Sequence, residues 1–263
     1  MHNTITFLGT GTSTGIPMIG CHCSVCSSND TRDKRLRTSA FVEYEGLKLL
    51  IDCGPDFRTQ ALTYGIEDLD AILLTHQHKD HTGGLDDVRA LNYILRKPTT
   101  IYCEERVLEG LKKEYSYAFA EHPYPGSPKF DIHLISDAPF NIQGREIIPI
   151  RAMHYRLPIL GFRFGGLCYL TDANGIADEE YEKLKGLDIM VLSAIKRGPH
   201  ISHFSLGEAI AVAKRIGAKK TFITHLSHQM AEDENNIKGT HADLSAEMPS
   251  GIFLAYDGLN LSF

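Results

Sequence analysis

The sequence has no surplus of positive charge. Its 27 Lys and Arg residues stand against 33 Asp and Glu, a formal charge of −6. A partner such as long nucleic acid is gripped through many phosphate contacts, so this balance argues against one. A long apolar run is also lacking. No stretch approaches the roughly 20 residues that cross a bilayer, and no membrane association is expected. From Met1 to Leu8 the chain passes directly into strand-like alternation. There is no basic segment followed by a long apolar one, so no secretory leader is expected and the cytoplasm is the expected location. The six cysteines do not suggest a disulfide framework in a chain of this length without a secretion signal. Cys53, Cys103 and Cys168 stand singly in apolar settings and read as small buried hydrophobes. Cys21, Cys23 and Cys26 are different, because they fall together.

What is present suits a soluble α/β protein with a sizeable core: 263 residues, 43% hydrophobic and 23% charged. No linker or internal repeat forces a boundary, so residues 1–263 are read as one domain. The densest chemistry follows the short apolar run Ala71–Leu74, which reads as a buried strand. There, Thr75-His76-Gln77-His78-Lys79-Asp80-His81 places three imidazoles and a carboxylate within six positions. Imidazole and carboxylate suit borderline first-row divalent metals. So dense a histidine cluster is costly to bury without a metal or hydrogen-bond partners.

His76-x-His78-x-Asp80-His81 resembles the signature of the metallo-β-lactamase superfamily. The resemblance implies an α/β fold, a four-layer αββα sandwich, with a metal site, often dinuclear, at one edge of its two sheets. It implies that His76, His78 and His154 hold one metal, that Asp80, His81 and His225 hold a second, and that Asp172 bridges them. His154 and Asp172 each close a strand-like run, and His225 closes Lys220–Thr224. Asp52 also ends a strand. It is read either as a brace for a ligating histidine or as a helix cap.

Upstream, Gly9-Thr10-Gly11-Thr12-Ser13-Thr14-Gly15 is a glycine-rich turn without the ending of a phosphate-binding P-loop. Cys21-x-Cys23-x-x-Cys26 groups three thiolates, which select zinc and leave a fourth ligand to be found. With the glycine turn and Thr224-His225-x-x-His228, this loop near residues 20–28 makes the chain similar to PhnP-type phosphodiesterases. That resemblance implies a structural zinc on Cys21, Cys23, Cys26 and His228. His22 is the rival fourth ligand, disfavoured because it lies between two ligating cysteines. It also implies His203 as a non-ligating active-site histidine. Near its ordinary pKa of about 6.5, His203 would protonate a leaving oxygen; His200 is the local competitor.

The expected activity is therefore hydrolysis of a small phosphodiester, a cyclic phosphate of ribose or a nucleotide. In it a hydroxide held by two divalent metals attacks phosphorus. Manganese or zinc is the expected active-site metal, with iron a further candidate, and a homodimer is a family-level expectation. Alternatives are an RNase Z-like tRNA 3′-processing endonuclease, a thioester or lactam hydrolase disfavoured by Asp172 and His203, and a non-catalytic metal- or ligand-binding module. Asn29–Arg37 reads as a solvated basic connection or, less readily, an anion site. The proline-rich stretch over residues 118–130 reads either as a loop that covers the cleft or as a rigid surface connection. His122 is not expected to ligate, and His2, His133 and His241 carry no pattern.

Overall fold

The computed structural model describes residues 3–230 and 238–263; the expectation for His2 lies outside them. In chain order the first half runs β1 (Thr4–Gly9), β2 (Ser39–Tyr44), β3 (Leu47–Ile51), α1 (Phe57–Tyr64), β4 (Ala71–Leu73), α2 (Lys79–Thr82), α3 (Arg89–Leu95), β5 (Thr99–Cys103), α4 (Glu105–Glu114) and β6 (Phe130–Leu134). The second half runs β7 (Phe140–Ile142), β8 (Arg145–His154), β9 (Leu157–Phe164), β10 (Leu167–Leu170), β11 (Gly175–Ile176), β12 (Ile189–Ser193), α5 (Leu206–Ile216), β13 (Lys220–Thr224), α6 (His241–Glu247), β14 (Ile252–Leu254) and β15 (Asn260–Ser262).

Two sheets result. One has the order β15-β1-β2-β3-β4-β5-β6, and the other has β11-β8-β9-β10-β12-β13-β14 with β7 on β8. Each is antiparallel at one side and parallel at the other, where β3 to β6 and β10, β12, β13 and β14 lie. Parallel neighbours need crossovers, and these put helices on the outer faces.

Side-chain alternation sorts the core into layers. Leu49 and Ile51 of β3 point inward with Ile5, Phe7 and Leu73, and meet Leu160, Phe162, Tyr169 and Val191 of the other sheet. Leu50 and Ile72 point the other way, onto Phe57, Val107 and Leu111 of the helices. Cys168, Leu170 and Ile223 likewise face out, onto Leu206, Ala209 and Leu244. Period-2 strands sandwiched between amphipathic helices thus give the four-layer αββα arrangement. No helix among the described residues is long and apolar enough to cross a membrane.

The last two strands lie in different sheets: β14 joins β13, whereas β15 pairs with β1. The stretch Asn29–Arg37 is not a solvated connection throughout, because Asp33 and Arg35 are buried. The glycine-rich turn is shaped by packing: a Cβ on Gly9 would lie 2.0 Å from the Arg37 carbonyl oxygen.

The segment over residues 118–130 packs beside α3 and the start of β5. Lys129 N donates to Asn92 Oδ1, and Asn92 Nδ2 donates to Thr99 Oγ1. With α3 this segment lines a surface cavity of about 690 Å³ whose walls include Tyr93, Lys97 and Pro125 and none of the clustered histidines. The surface-connection reading fits this placement better than a cover over the cleft.

Candidate metal centre

In an open α/β sheet the carboxyl ends of the strands carry the site, and here both sheets contribute at one edge. β3 is followed by Asp52, β4 leads to His76, β8 ends at His154, β10 is followed by Asp172, and β13 by His225. Three of these five, Asp52, Asp172 and His225, adopt left-handed backbone at φ 59°, 61° and 57°. Non-glycine residues persist there only when the surroundings over-determine them. The turn after β3 must also pass close to α2. A Cβ on Gly54 would fall 2.1 Å from the Asp80 carbonyl oxygen, so only glycine fits.

The ligand orientations are set by their other ring nitrogen. Asp52 accepts from Thr75 N at 2.9 Å, from Thr75 Oγ1 at 2.9 and 3.1 Å, and from His81 Nδ1 at 2.7 Å. With its hydroxyl proton spent on Asp52, Thr75 Oγ1 accepts from His76 Nδ1 at 2.9 Å. The His154 Nδ1–H donates to the Ser202 carbonyl at 2.8 Å. These bonds leave Nε2 of His76, His81 and His154 as the atoms offered to the cleft. Asp52 is therefore a brace for His81 and not a helix cap; α1 receives no side-chain cap bond.

The free nitrogens converge. His76 Nε2 faces His78 Nδ1 at 3.0 Å, and His76, His78 and His154 bring their ligand atoms within 4.8 Å of one another. Asp80, His81 and His225 form a second such set. Asp172 meets both sets: its Oδ1 is 3.0 Å from His225 Nε2, its Oδ2 is 3.3 Å from His81 Nε2, and its carboxylate groups with His76 and His81 within 4.8 Å. His81 Nε2 and both ring nitrogens of His225 are buried without a hydrogen-bond partner. Buried polar atoms left unsatisfied are costly, and a cation among them is what would satisfy them.

The charges agree with that reading. Burial pulls the His81 imidazole down, but Asp172, Asp52 and Asp80 outweigh it and hold it well above its usual range. Burial pushes Asp172 up, but His225 and His81 hold it well below. Three carboxylates thus demand positive charge at this point, and divalent ions fit the donors.

His203 stands at the same wall. Its ring lies 4.6 Å from that of His154, its Nδ1 is 3.6 Å from Asp172 Oδ1, and that nitrogen has no hydrogen-bond partner. The Ser205–Glu208 capping box fixes α5 two residues later. The expectation of an ordinary pKa is corrected. Burial, with His225 adding to it, pushes His203 down to about 3. His200 is one ring further out, 5.1 Å from His203.

At the second site, Cys21, Cys23, Cys26 and His228 bring their ligand atoms within 4.8 Å of one another. His228 Nδ1 is 3.3 Å from Cys21 Sγ and 3.5 Å from Cys23 Sγ. Metal–sulfur bonds of about 2.3 Å and metal–nitrogen bonds of about 2.0 Å in a tetrahedron separate ligand atoms by roughly 3.6 Å, so this set fits zinc. No disulfide joins the cysteines. His22 is exposed and turns its carbonyl to Ser27 Oγ. The segment between His225 and His228 is pinned by Leu226 N donating to Thr10 O at 2.9 Å and Ser227 N to Ile195 O at 3.1 Å.

The structure thus brings together all the residues assigned to each site from sequence. Sequence reasoning missed Thr75 and the Ser202 carbonyl, which position the ligands; a backbone acceptor leaves no side-chain signal. His122 and His133 are exposed, away from either cluster.

The family model for the Beta-lactamase superfamily domain matches residues 48–226. An octanoyltransferase of Porphyromonas gingivalis is 42% identical over 259 residues, covering 96% of this chain but only 50% of that protein. The chain therefore spans about half the length of that relative. A diphosphatase from the PhnP family is 40% identical in its crystal structure, with a TM-score of 0.89 and coverage of 99% of this chain and 98% of that one. The short form of human tRNase Z shares the fold at 19% identity, with a TM-score of 0.69 and 98% coverage of both chains.

Proposed function

The chain belongs to the metallo-β-lactamase superfamily, in its PhnP branch, and from that premise we propose that it is a metal-dependent phosphodiesterase acting on a cyclic phosphate of ribose or a nucleotide. The observation that carries this reading is Asp172 grouped with His76 of one His-rich ligand set and His81 of the other, with His203 beside it. His76, His78 and His154 would hold one divalent ion, Asp80, His81 and His225 another, and Asp172 both. Bound there, the pair would supply positive charge against the phosphoryl oxygens and an activated water.

The protein's own groups do the rest. Asp52, Thr75 and the Ser202 carbonyl hold the imidazoles in one tautomer, so the donor set is preorganised. His203 gives its proton to the departing oxygen. Its depressed basicity suits a neutral resting state, and the negative charge of a bound phosphodiester raises it toward the range where it carries that proton. The fold relationship to tRNase Z makes precursor tRNA the counter-substrate, and the −6 balance disfavours it.

The test is turnover of bis-(p-nitrophenyl) phosphate and a cyclic nucleoside monophosphate by protein loaded with manganese or zinc. Chelator-sensitive hydrolysis of both, with precursor tRNA uncut, supports the reading; metal-replete protein inert to every diester removes it. The cysteine loop makes a separate prediction. His228→Ala should take metal content from roughly three ions per chain to two, with a lower melting temperature, because a closed structural site contributes folding energy. Unchanged content measured by elemental analysis would remove the structural zinc.

A further inference from the structure

The hairpin between β8 and β9 carries two side chains that the reaction above leaves unused. His154 closes β8 and pairs in register with Leu157, so Tyr155 and Arg156 alone make the turn. Two-residue hairpins that need left-handed backbone call for glycine or asparagine there. This chain places tyrosine at φ 56°.

The tip is tied down on both sides by parts of the metal site. Tyr155 N donates to Asn174 Oδ1 at 2.8 Å, and Asn174 lies two residues beyond Asp172. Asn174 Nδ2 donates to the Ile201 carbonyl at 2.9 Å, in the loop that carries His200 and His203. The next carbonyl, of Ser202, is the one that orients His154. The tip is thus a fixed extension of the wall that holds His154, Asp172 and His203. Its aromatic side chain stands clear of that wall: Tyr155 is 48% exposed. The Arg156 guanidinium carbon lies 5.2 Å from the Tyr155 ring centre, close enough to leave a cation beside the aromatic face.

We propose that Tyr155 is the specificity-determining platform on which the base of a nucleoside-containing phosphodiester stacks while its phosphate lies at the metal centre. This rests on the phosphodiesterase reading of the site. An aromatic ring set one residue from a ligating histidine can take a planar group only if the substrate extends beyond its phosphate. Arg156 beside the ring favours a partner with electron-rich edges or further negative charge. Stacking of this kind is tolerant of base identity, so all four bases should be accepted.

The variant Tyr155→Ala keeps the backbone amide that bonds Asn174, so the tip stays pinned. For metal-loaded protein, the catalytic efficiency on a cyclic nucleoside monophosphate should fall about tenfold, mainly through KM. On a ribose cyclic phosphate, the same diester without a base, it should not change, and Tyr155→Phe should behave as wild type. Equal losses on both substrates would make the tip a mere support for His154 and overturn the proposal, as would no loss on either. Calorimetry gives a readout independent of turnover: adenosine monophosphate should bind Tyr155→Ala about tenfold more weakly, with ribose phosphate unaffected. If wild type cleaves neither diester, the reaction reading fails by itself, and equal affinity of both proteins for adenosine monophosphate would still overturn the base platform.

Discussion

Asp172→Asn is expected to lower kcat/KM for the diester by about 10³-fold or more, roughly 4 kcal/mol of transition-state stabilisation, while the protein remains folded. The substitution keeps the shape of the side chain and removes its charge. Asp172 is almost wholly buried. Thr171 Oγ1 donates to its Oδ2 at 2.6 Å, and an amide oxygen can still accept that bond. The lost element is the negative charge that His81 and His225 face at 3.3 and 3.0 Å. No other acidic side chain among the described residues lies between the two ligand sets, since Asp80 belongs to one of them and Asp52 sits behind His81. An amide cannot compensate two divalent charges, so the active-site metal content should fall as well, while the cysteine loop keeps its zinc. Elemental analysis beside steady-state kinetics separates the two sites. An Asp172→Asn variant with full metal content and more than about a tenth of wild-type efficiency would show that the carboxylate does not join the ions.

The central ligands are legible in the sequence for a physical reason. A strand end and the turn after it place neighbouring residues around one point, so His76, His78, Asp80 and His81 are close in sequence because they are close in space. His154, Asp172 and His225 each close an apolar run, but it is the resemblance to the superfamily that marks them as ligands. The αββα layering follows from the same alternation, carried by Leu49, Leu50 and Ile51 facing opposite helical and inter-sheet layers. What could not be read depends on contacts across the chain. Arg35 sits in a run of charges that looks solvated, and its burial is decided by partners more than 200 residues away. The pKa of His203 depends on burial and on His225, neither of which its local motif discloses. In the segment over residues 118–130 the prolines and aromatics fix irregularity, but not which end of the sheet the loop occupies. α6 leaves little trace because its seven residues, His241–Glu247, are short of apolar positions.

That buried arginine is the basis of the second large effect: Arg35→Met should destabilise the protein by about 3–5 kcal/mol, a fall in melting temperature on the order of 10 °C for a chain of this size. Arg35 Nη1 donates to Thr10 Oγ1 and to the Ala255 carbonyl, both at 2.7 Å, and Nη2 donates to His241 Nδ1 at 3.0 Å. Its planar fork spans three elements at once: the strand-end turn, the segment after β14, and α6. Lysine, a single point charge, cannot reproduce this span. Burial pulls Arg35 down to about 10, so it stays charged at neutral pH.

Its acidic counterpart is Asp257, which accepts from Thr10 Oγ1 and Leu36 N and which burial pushes up to about 6 against those bonds and the Arg35 charge. The unfolded carboxyl titrates lower, at about 3.9. Between those values the folded protein holds the extra proton, so the contribution of Asp257 is present at low pH and is lost as pH rises through about 6. Removing Arg35 strips the ionised carboxylate of its cation and leaves the protonated form nearly untouched. The loss in Arg35→Met should therefore be larger at about pH 7 than at about pH 5, and the two thermal melts measure it directly. The effect should reach the catalytic edge too, because Thr10 is the residue whose carbonyl holds Leu226, next to His225. A melting temperature within about 1 °C of wild type at neutral pH would mean that the network is replaceable by packing alone, as some buried ion pairs are.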